Sequence, residues 1–524
     1  MKKAIIGMAI AALTACTPKQ ENPLMADSAL PHGAPEFSKY ESTHYEAAFL
    51  EAFKQQRAEI DAIVANTEAP TFDNTIGALE RSGRLLSKVV GVFFNLNETD
   101  ADATMKETEK NITPLMTEHS AYMTMNEPLF ARIKAIYDNK ANLGLTREQE
   151  MVLDKYYRMF VRGGALLNAE QKEQYMEIEK QLSLAMIKFG DNALAETNAY
   201  ELLITDEKNL AGLPQSAIDA AREMAQAAGK EGWLFNLQKP SWIPFLQYAD
   251  NRDLRREMYL AYINRGDNNN EHDNKAVIAE ILKLRQQKAR LFGFNNFAEY
   301  QLEDKMAKTP QAAYELLMTI WNAALPQAKA EADELQKLMD AEGKGEKLEA
   351  WDWWYYTEKL RQQKYALSES ELRPYFSLEN VRKGSFMVAE KLFGVKFRPI
   401  EGLDIYHPEV ETFEVLDSDG SHLALFYVDY FPRATKRAGA WMNNIVEPSN
   451  VDGENKRPII VNVCNFTRPS GDTPSLLTID EARTLFHEFG HALHGMLTQT
   501  KYPSVAGTSV ARDFVELPSQ IMEH

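Results

Sequence analysis

Apolar residues recur at helical spacing through most of the chain after residue 41. In the first stretch they fall on one face at steps of three and four, with Gln56 as the single polar intruder: Phe49, Ala52, Phe53, Ile60, Ile63 and Val64. Similar stripes occupy residues 75–96, 147–193, 216–228, 253–262, 274–291 and 312–341. A stripe of this period indicates an amphipathic α-helix. The pattern therefore predicts a mainly α-helical protein.

A different pattern begins at about residue 397. Short β-branched and aromatic runs occupy residues 410–416, 423–430 and 459–463, separated by turn-forming residues such as those at 417–420. Such runs predict strands of a small sheet, and helical spacing returns at Thr478. We therefore divide the chain into a mostly helical region, 41–396, and a region with a small sheet, 397–524.

The amino terminus has the features of a secretory signal. Lys2 and Lys3 precede an apolar run at residues 4–13, which is too short to span a bilayer as a stable helix. The sequence Leu-Thr-Ala-Cys at residues 13–16 resembles a bacterial lipobox, in which the cysteine is lipidated. We expect residues 1–15 to be a signal peptide, Cys16 to be lipidated, and residues 16–40 to form a flexible tether. An ordinary signal peptide with a chance cysteine is the alternative.

These features predict an extracytoplasmic protein, lipid-anchored on the periplasmic side of a bacterial membrane, which touches the membrane only through its anchor. The composition, with 44% apolar and 26% charged residues, is that of a soluble globular protein. With 58 basic and 76 acidic residues the net charge is −18, which disfavours nucleic acid as a partner. The second cysteine, Cys464, ends a predicted buried strand and is interpreted as a core residue.

The candidate chemistry lies on one predicted helix near the end of the sequence. Thr478 and Glu481 have the spacing of a capping box, which marks its start. His487 and His491 lie one turn apart, so both imidazoles can reach one zinc ion, and Glu488 lies between them. This is the H-E-x-x-H pattern of zinc metallopeptidases, in which the glutamate is the general base.

A third protein ligand is needed, and the local pattern does not select it. His494 is seven residues from His487, about 10.5 Å along a helix axis, so both are not expected to bind one ion. The acidic residues downstream are Asp513, Glu516 and Glu523, and spacing alone leaves all three open. We expect Asp513 or Glu523 to orient a ligand histidine, and strand 423–430 or strand 459–465 to align a peptide by edge pairing.

Residues 486–494 (FHEFGHALH) and 512–520 (RDFVELPSQ) closely resemble the thimet oligopeptidase family of zinc metallopeptidases, and its bacterial peptidyl-dipeptidase (Dcp) branch in particular. Shorter matches lie at residues 160–165 (FVRGGA), 212–214 (GLP), 372–376 (LRPYF) and 462–466 (NVCNF). The resemblance implies one zinc ion per chain with His487, His491 and Glu516 as ligands and Glu488 as general base.

The resemblance also implies a zincin-like, mainly α fold in which two helical halves enclose a deep substrate channel. Residues 41–396 would form one channel wall, and residues 397–524 would carry the zinc site beside a small sheet. Because the family extends well past the third ligand, with a Gly- and Tyr-rich segment that helps bind substrate and oxyanion, we expect a C-terminal part to be missing after His524.

The implied function is hydrolysis of short unfolded peptides by a monomeric zinc metallopeptidase, with release of C-terminal dipeptides. Two alternatives remain open at this point. One is an endo-acting oligopeptidase, and the other is a non-catalytic, zinc-containing peptide-binding lipoprotein. The presence of Glu488 opposes the second alternative, because binding alone requires no general base.

Overall fold

The computed structural model describes residues 22–343, 345–366, 369–453 and 455–524. The predicted signal peptide and Cys16 lie outside these described residues. Within them, no helix combines the length and the apolar character needed to cross a membrane.

Helices dominate the described chain, which confirms the predicted mainly α class. They are α1 (His44–Ala65), α2 (Ala78–Arg81), α3 (Arg84–Thr99), α4 (Ala103–Thr124), α5 (Glu127–Asp138), α6 (Arg147–Arg162), α7 (Ala169–Ala199), α8 (Gln215–Ala227), α9 (Lys239–Tyr248), α10 (Arg252–Ile263), α11 (Lys275–Leu291), α12 (Phe297–Leu302), α13 (Pro310–Ala341), α14 (Trp353–Tyr365), α15 (Glu369–Leu372), α16 (Leu378–Phe393), α17 (Ile479–Met496) and α18 (Glu516–Glu523). The stripe at 147–193 is divided between α6 and α7, because the side chain of Asn168 caps the start of α7.

The strands form two sheets, a two-stranded antiparallel sheet and a five-stranded mixed sheet. They are β1 (Leu202–Ile204), β2 (Trp233–Phe235), β3 (Lys396–Pro399), β4 (Glu411–Leu416), β5 (His422–Asp429), β6 (Trp441–Val446) and β7 (Ile459–Val463). Strands β1 and β2 pair with each other, and the others form a five-stranded sheet in the order β3-β4-β5-β7-β6. Strands β5 and β7 are parallel, and the other neighbours in this sheet are antiparallel.

The five-stranded sheet is covered on both faces. Alternate side chains of β5 point to opposite sides, so Phe426 packs with α17 residues such as Phe489 on one face. On the other face Leu425 and Tyr427 pack with α1 and α3. Because both faces are buried, β5 and β7 are nearly continuous apolar runs. Residues of the helical and sheet-containing regions therefore pack together in the hydrophobic clusters on both faces of this sheet.

The segment before α1 also belongs to this core. Leu24, Ala34 and Phe37 are buried against the same sheet face as α1 and α3. The Ser38 hydroxyl donates a hydrogen bond to Asp404 at 2.5 Å. From Asn22 onward, the segment expected to be a flexible tether is thus packed on the fold, because its few apolar residues cover the sheet.

Candidate metal centre

Helix α17 begins where the capping box predicts. The Thr478 hydroxyl accepts a hydrogen bond from the Glu481 amide at 3.0 Å, and the Glu481 carboxylate accepts one from the Thr478 amide at 2.8 Å. Glu481 also accepts a hydrogen bond from the Thr467 amide, which ties the helix start to the segment after β7. This arrangement fixes the helix that carries both candidate histidine ligands.

Three predicted ligands converge in the structure. The Nε2 atoms of His487 and His491 lie 3.2 and 3.1 Å from the same Glu516 oxygen, Oε2. The two imidazole rings are nearly perpendicular, with centroids 5.0 Å apart. Donors held about 2.0–2.1 Å from a tetrahedral zinc lie about 3.3 Å from each other, so these separations match the edges of such a site. The two nitrogens and one carboxylate oxygen therefore fit a zinc ion.

Glu516 reaches the histidines because α18 packs directly on α17. A Cβ atom on Gly490 would lie only 2.7 Å from the Pro518 carbonyl oxygen, so only glycine permits this approach. Glu516 is the first residue of α18, and the Ser519 hydroxyl donates to its Oε2 at 2.8 Å. Partial burial opposes ionisation of Glu516, but this hydrogen bond and the neighbouring His491 lower its pKa overall.

The structure separates the roles of the other two acids. Glu523 Oε2 accepts a hydrogen bond from Nδ1 of His487 at 3.0 Å, and its other oxygen pairs with Arg483. Asp513 instead accepts hydrogen bonds from the backbone amides of Met306 and Ala307. Glu523 is therefore the acid that orients a candidate ligand, and Asp513 holds the segment before α18 in place.

Replacing Glu523 with Gln is expected to weaken zinc binding about 10–100-fold, because His487 loses the anion that fixes its orientation and raises its basicity. Zinc titration against a competing chelator measures the effect. Glu409→Gln serves as the matched control, since Glu409 is similarly exposed (29% against 25%) and also pairs with an arginine and a histidine, but it does not contact His487. Zinc affinity within twofold of the parent in Glu523→Gln would contradict this role.

Glu488 has the environment of a general base. It is 6% exposed and faces a cavity that His487 and Glu523 also line. Burial raises the pKa of Glu488 to about 7; His487 opposes this shift and Glu516 adds to it. A carboxylate with a pKa near neutrality can both accept and return a proton at physiological pH.

His494 lies apart from the three converging atoms, as the helical spacing predicts. The cluster formed by His487, His491 and Glu516 does not include it. Burial lowers the pKa of His494, and its Nδ1 atom is buried without a hydrogen-bond partner among the described residues.

The cavity beside the histidines, which we call the cleft, has a volume of about 350 Å³. Residues from both predicted regions line it: Lys239, Gly439, Ala440, Asn465, Phe466, Thr484, His487, Glu488 and Glu523. Lys239 belongs to α9 and pairs with Asp480 of α17 at 2.6 Å. The cleft thus places a cation beside the candidate metal ligands, a feature that sequence spacing did not reveal.

The expected edge pairing on strand 423–430 or strand 459–465 is wrong. These strands are β5 and β7, and each lies between two other strands of the sheet. The edge near the cleft is β6, and Gly439 and Ala440, which line the cleft, immediately precede it. The sequence of β6 has a weak strand signal because two asparagines interrupt its apolar residues.

The interpretation of Cys464 as a core residue is confirmed. Its side chain is 1% exposed within the core between α17 and the sheet. Burial, with a smaller contribution from Glu488, raises the pKa of this thiol well above its ordinary value. A protonated, enclosed thiol is a poor nucleophile.

Comparison with known proteins gives consistent matches. The sequence profile of peptidase family M3 matches residues 245–524. A dipeptidyl carboxypeptidase of Salmonella typhimurium is 39% identical over 505 residues, which cover 96% of this chain and 74% of that protein. The dipeptidyl carboxypeptidase of Escherichia coli is 37% identical with the same coverage. Oligopeptidase A of Salmonella typhimurium is 36% identical over 509 residues, again covering 96% of this chain and 74% of the relative.

Proposed function

Because the chain belongs to peptidase family M3, and is therefore a metallopeptidase, we propose that it is a zinc-dependent enzyme that releases dipeptides from the carboxyl ends of short peptides. The family membership also confirms the resemblance to thimet oligopeptidase and supports peptidase activity over the non-catalytic alternative. The observation that carries the proposal is the convergence of two imidazole nitrogens and one carboxylate oxygen beside a buried glutamate.

In this proposal His487, His491 and Glu516 hold one catalytic zinc ion per chain. Bound zinc polarises the scissile carbonyl and acidifies water. The chain's own residues supply the proton transfers. Glu488 accepts a proton from the attacking water at its carboxylate, and the water oxygen forms the new bond to the carbonyl carbon. Glu488 then gives the proton to the leaving nitrogen as the C–N bond breaks, which regenerates its carboxylate.

Lys239 favours the release of dipeptides over internal cleavage. A carboxypeptidase-type enzyme must recognise a free carboxylate at a fixed distance from the scissile bond, and a cation in the cleft is suited to that task. The Asp480 carboxylate pairs with the Lys239 ammonium group. A peptide carboxylate would compete with this exposed aspartate for the ammonium group. An endo-acting oligopeptidase remains the second candidate, since the chain is similar both to dipeptidyl carboxypeptidases and to oligopeptidase A.

We expect an N-blocked tetrapeptide with a free carboxylate to be cleaved about 10–100-fold faster than its C-terminal amide. Loss of one charge-assisted hydrogen bond costs about 1.5–3 kcal/mol, and 1.4 kcal/mol corresponds to a factor of ten. Mass spectrometry of the products from both substrates measures the preference and identifies the bond that is cut. Equal cleavage of acid and amide would instead support the endopeptidase.

Lys239→Met tests the source of this preference. We expect it to raise KM for the free acid and to reduce the difference between acid and amide. Lys230→Met is the matched control, because Lys230 is similarly exposed (35% against 39%) and also ion-paired, but it does not line the cleft. Equal effects of the two substitutions would remove Lys239 from the proposal.

Short unfolded peptides are the proposed partners, and the proposed enzyme acts as a monomer without binding nucleic acid. A cleft of about 350 Å³ suits a few residues of extended chain. The net charge of −18 opposes binding to a phosphate backbone.

For localisation we propose lipid anchoring through Cys16 on the periplasmic side of a bacterial membrane. The support is the lipobox-like sequence at residues 13–16. Cys16→Ser is expected to move the protein from the membrane fraction to the soluble fraction, because the acylated thioether can no longer form. Cys464→Ser, which alters the buried cysteine, should leave the protein in the membrane fraction. An unchanged membrane fraction for Cys16→Ser would contradict the anchor.

A further inference from the structure

A second cluster of metal-binding side chains lies at the sheet, on elements separate from α17 and α18. His32 belongs to the segment before α1, Glu414 to β4, and His422 is the first residue of β5. Glu414 Oε1 lies 3.4 Å from His32 Nε2 and 3.1 Å from His422 Nδ1. One carboxylate oxygen therefore faces two imidazole nitrogens that come from distant parts of the sequence.

These separations fit the edges of a tetrahedral metal site. As at the catalytic cluster, donors bound at about 2.0–2.1 Å lie about 3.3 Å apart. The Glu414 side chain is only 8% exposed, and Arg398 pairs with its other oxygen, Oε2. That ion pair holds the carboxylate in place and leaves Oε1 directed at the two histidines.

The imidazole rings differ in arrangement from those of the catalytic cluster. His32 and His422 are stacked, with centroids 3.5 Å apart and planes within 7° of parallel. Lone pairs lie in the ring planes, so convergence on one ion requires the rings to rotate away from parallel. The His32 side chain is one-third exposed, so rotation about its side-chain torsions can provide that adjustment.

We propose that His32, Glu414 and His422 form a second zinc site, distinct from the catalytic one, that fastens the segment before α1 to the β4–β5 hairpin. Two imidazoles and one carboxylate suit zinc rather than magnesium or calcium, which prefer oxygen ligands alone. The site has a structural role, because its ligands connect a segment that contributes Leu24, Ala34 and Phe37 to the core with the sheet that this segment covers.

This inference does not depend on the proposed peptidase specificity. Its ligands lie on the segment before α1, β4 and β5, whereas the catalytic ligands lie on α17 and α18. A metal ion that binds only the folded state raises the free energy of unfolding. At metal concentrations above Kd, this increase grows with the logarithm of the ratio of metal concentration to Kd. Thermal stability therefore reports on this site independently of peptide hydrolysis.

The experiment uses the full chain carrying His487→Ala and His491→Ala, which removes two of the three catalytic donors. We expect this protein to retain one equivalent of zinc after equilibration with zinc and gel filtration, and its Tm to rise with zinc concentration. Adding His32→Ala should lower zinc affinity at least tenfold and abolish the zinc-dependent rise in Tm. Because His32 is on the surface, circular dichroism of this variant should match that of its parent.

Adding His407→Ala provides the matched control. His407 also lies near a single carboxylate, that of Glu409 at 3.7 Å, but it is outside the cluster. Zinc binding should be unchanged in this variant. Absence of zinc from the protein that lacks the two catalytic histidines, or equal loss of zinc on replacing His32 and His407, would overturn the proposal. Repeating the Tm series with the original histidines at 487 and 491 restored should again show dependence on His32, and its absence there would also overturn it.

Discussion

Glu488→Gln is expected to lower kcat for a short peptide by about 10²–10⁴-fold while leaving the zinc content of the protein unchanged. Glutamine preserves the size of the side chain but cannot accept a proton from water, so the general-base contribution is lost. The side chain does not belong to the converging donors of His487, His491 and Glu516, and metal binding should survive. Steady-state kinetics together with elemental analysis of the same preparation measure both quantities.

Glu481→Gln is the matched control for this prediction. Glu481 is a second buried carboxylate of α17, but its contacts are with Thr467 and Thr478 at the helix start. Its loss should lower the Tm and leave kcat of the folded enzyme within about tenfold of the parent. Retention of full activity by Glu488→Gln would exclude Glu488 as the base. Loss of zinc from that variant would show that Glu488 instead contributes to metal binding.

His491→Ala is expected to lower zinc affinity at the catalytic site by more than 10²-fold and to abolish hydrolysis. The substitution removes one of three metal donors. Loss of a group that only hydrogen-bonds to a ligand already lowers metal affinity about 10–100-fold, so loss of a donor should lower it further. Two donors, His487 and Glu516, would remain. Competition with a chromogenic chelator measures the affinity, and added zinc should restore little activity.

His494→Ala is the control on the same helix and should retain zinc within about threefold. The expectation follows from the 1.5 Å rise per residue, which places His494 about 10.5 Å along the axis from His487. Loss of zinc from His494→Ala would overturn the ligand assignment. Two tightly bound zinc ions per chain in His491→Ala, one more than the proposed site at His32 can hold, would do the same.

Local features of the catalytic helix were determined by the sequence itself. The start of α17 at the capping box, the shared face of His487 and His491, and the exclusion of His494 all follow from helical geometry over a few residues. The central residues of β5 and β7 were predicted as strands for a related reason. Strands buried on both faces require continuous apolar runs, and such runs are visible without knowledge of their partners.

Contacts between distant elements were decided only by the tertiary structure. Sequence spacing did not distinguish Asp513, Glu516 and Glu523 as the third ligand. In the structure α18 approaches α17 closely at Gly490. This packing places Glu516 next to Nε2 of His487 and Glu523 next to Nδ1 of the same ring. The resemblance to a known family had implied Glu516. The geometry adds a physical basis for it.

The same distinction applies to the sheet edge, the cleft and the amino-terminal segment. Strand order makes β6 the edge beside the cleft, and the packing of α9 brings Lys239 into it. Burial of Leu24 and the meeting of His32 with Glu414 also depend on packing between residues far apart in sequence. Local spacing follows from covalent geometry and can be read along the chain. Relative placement of elements depends on which apolar faces pack together, and only the folded structure specifies that choice.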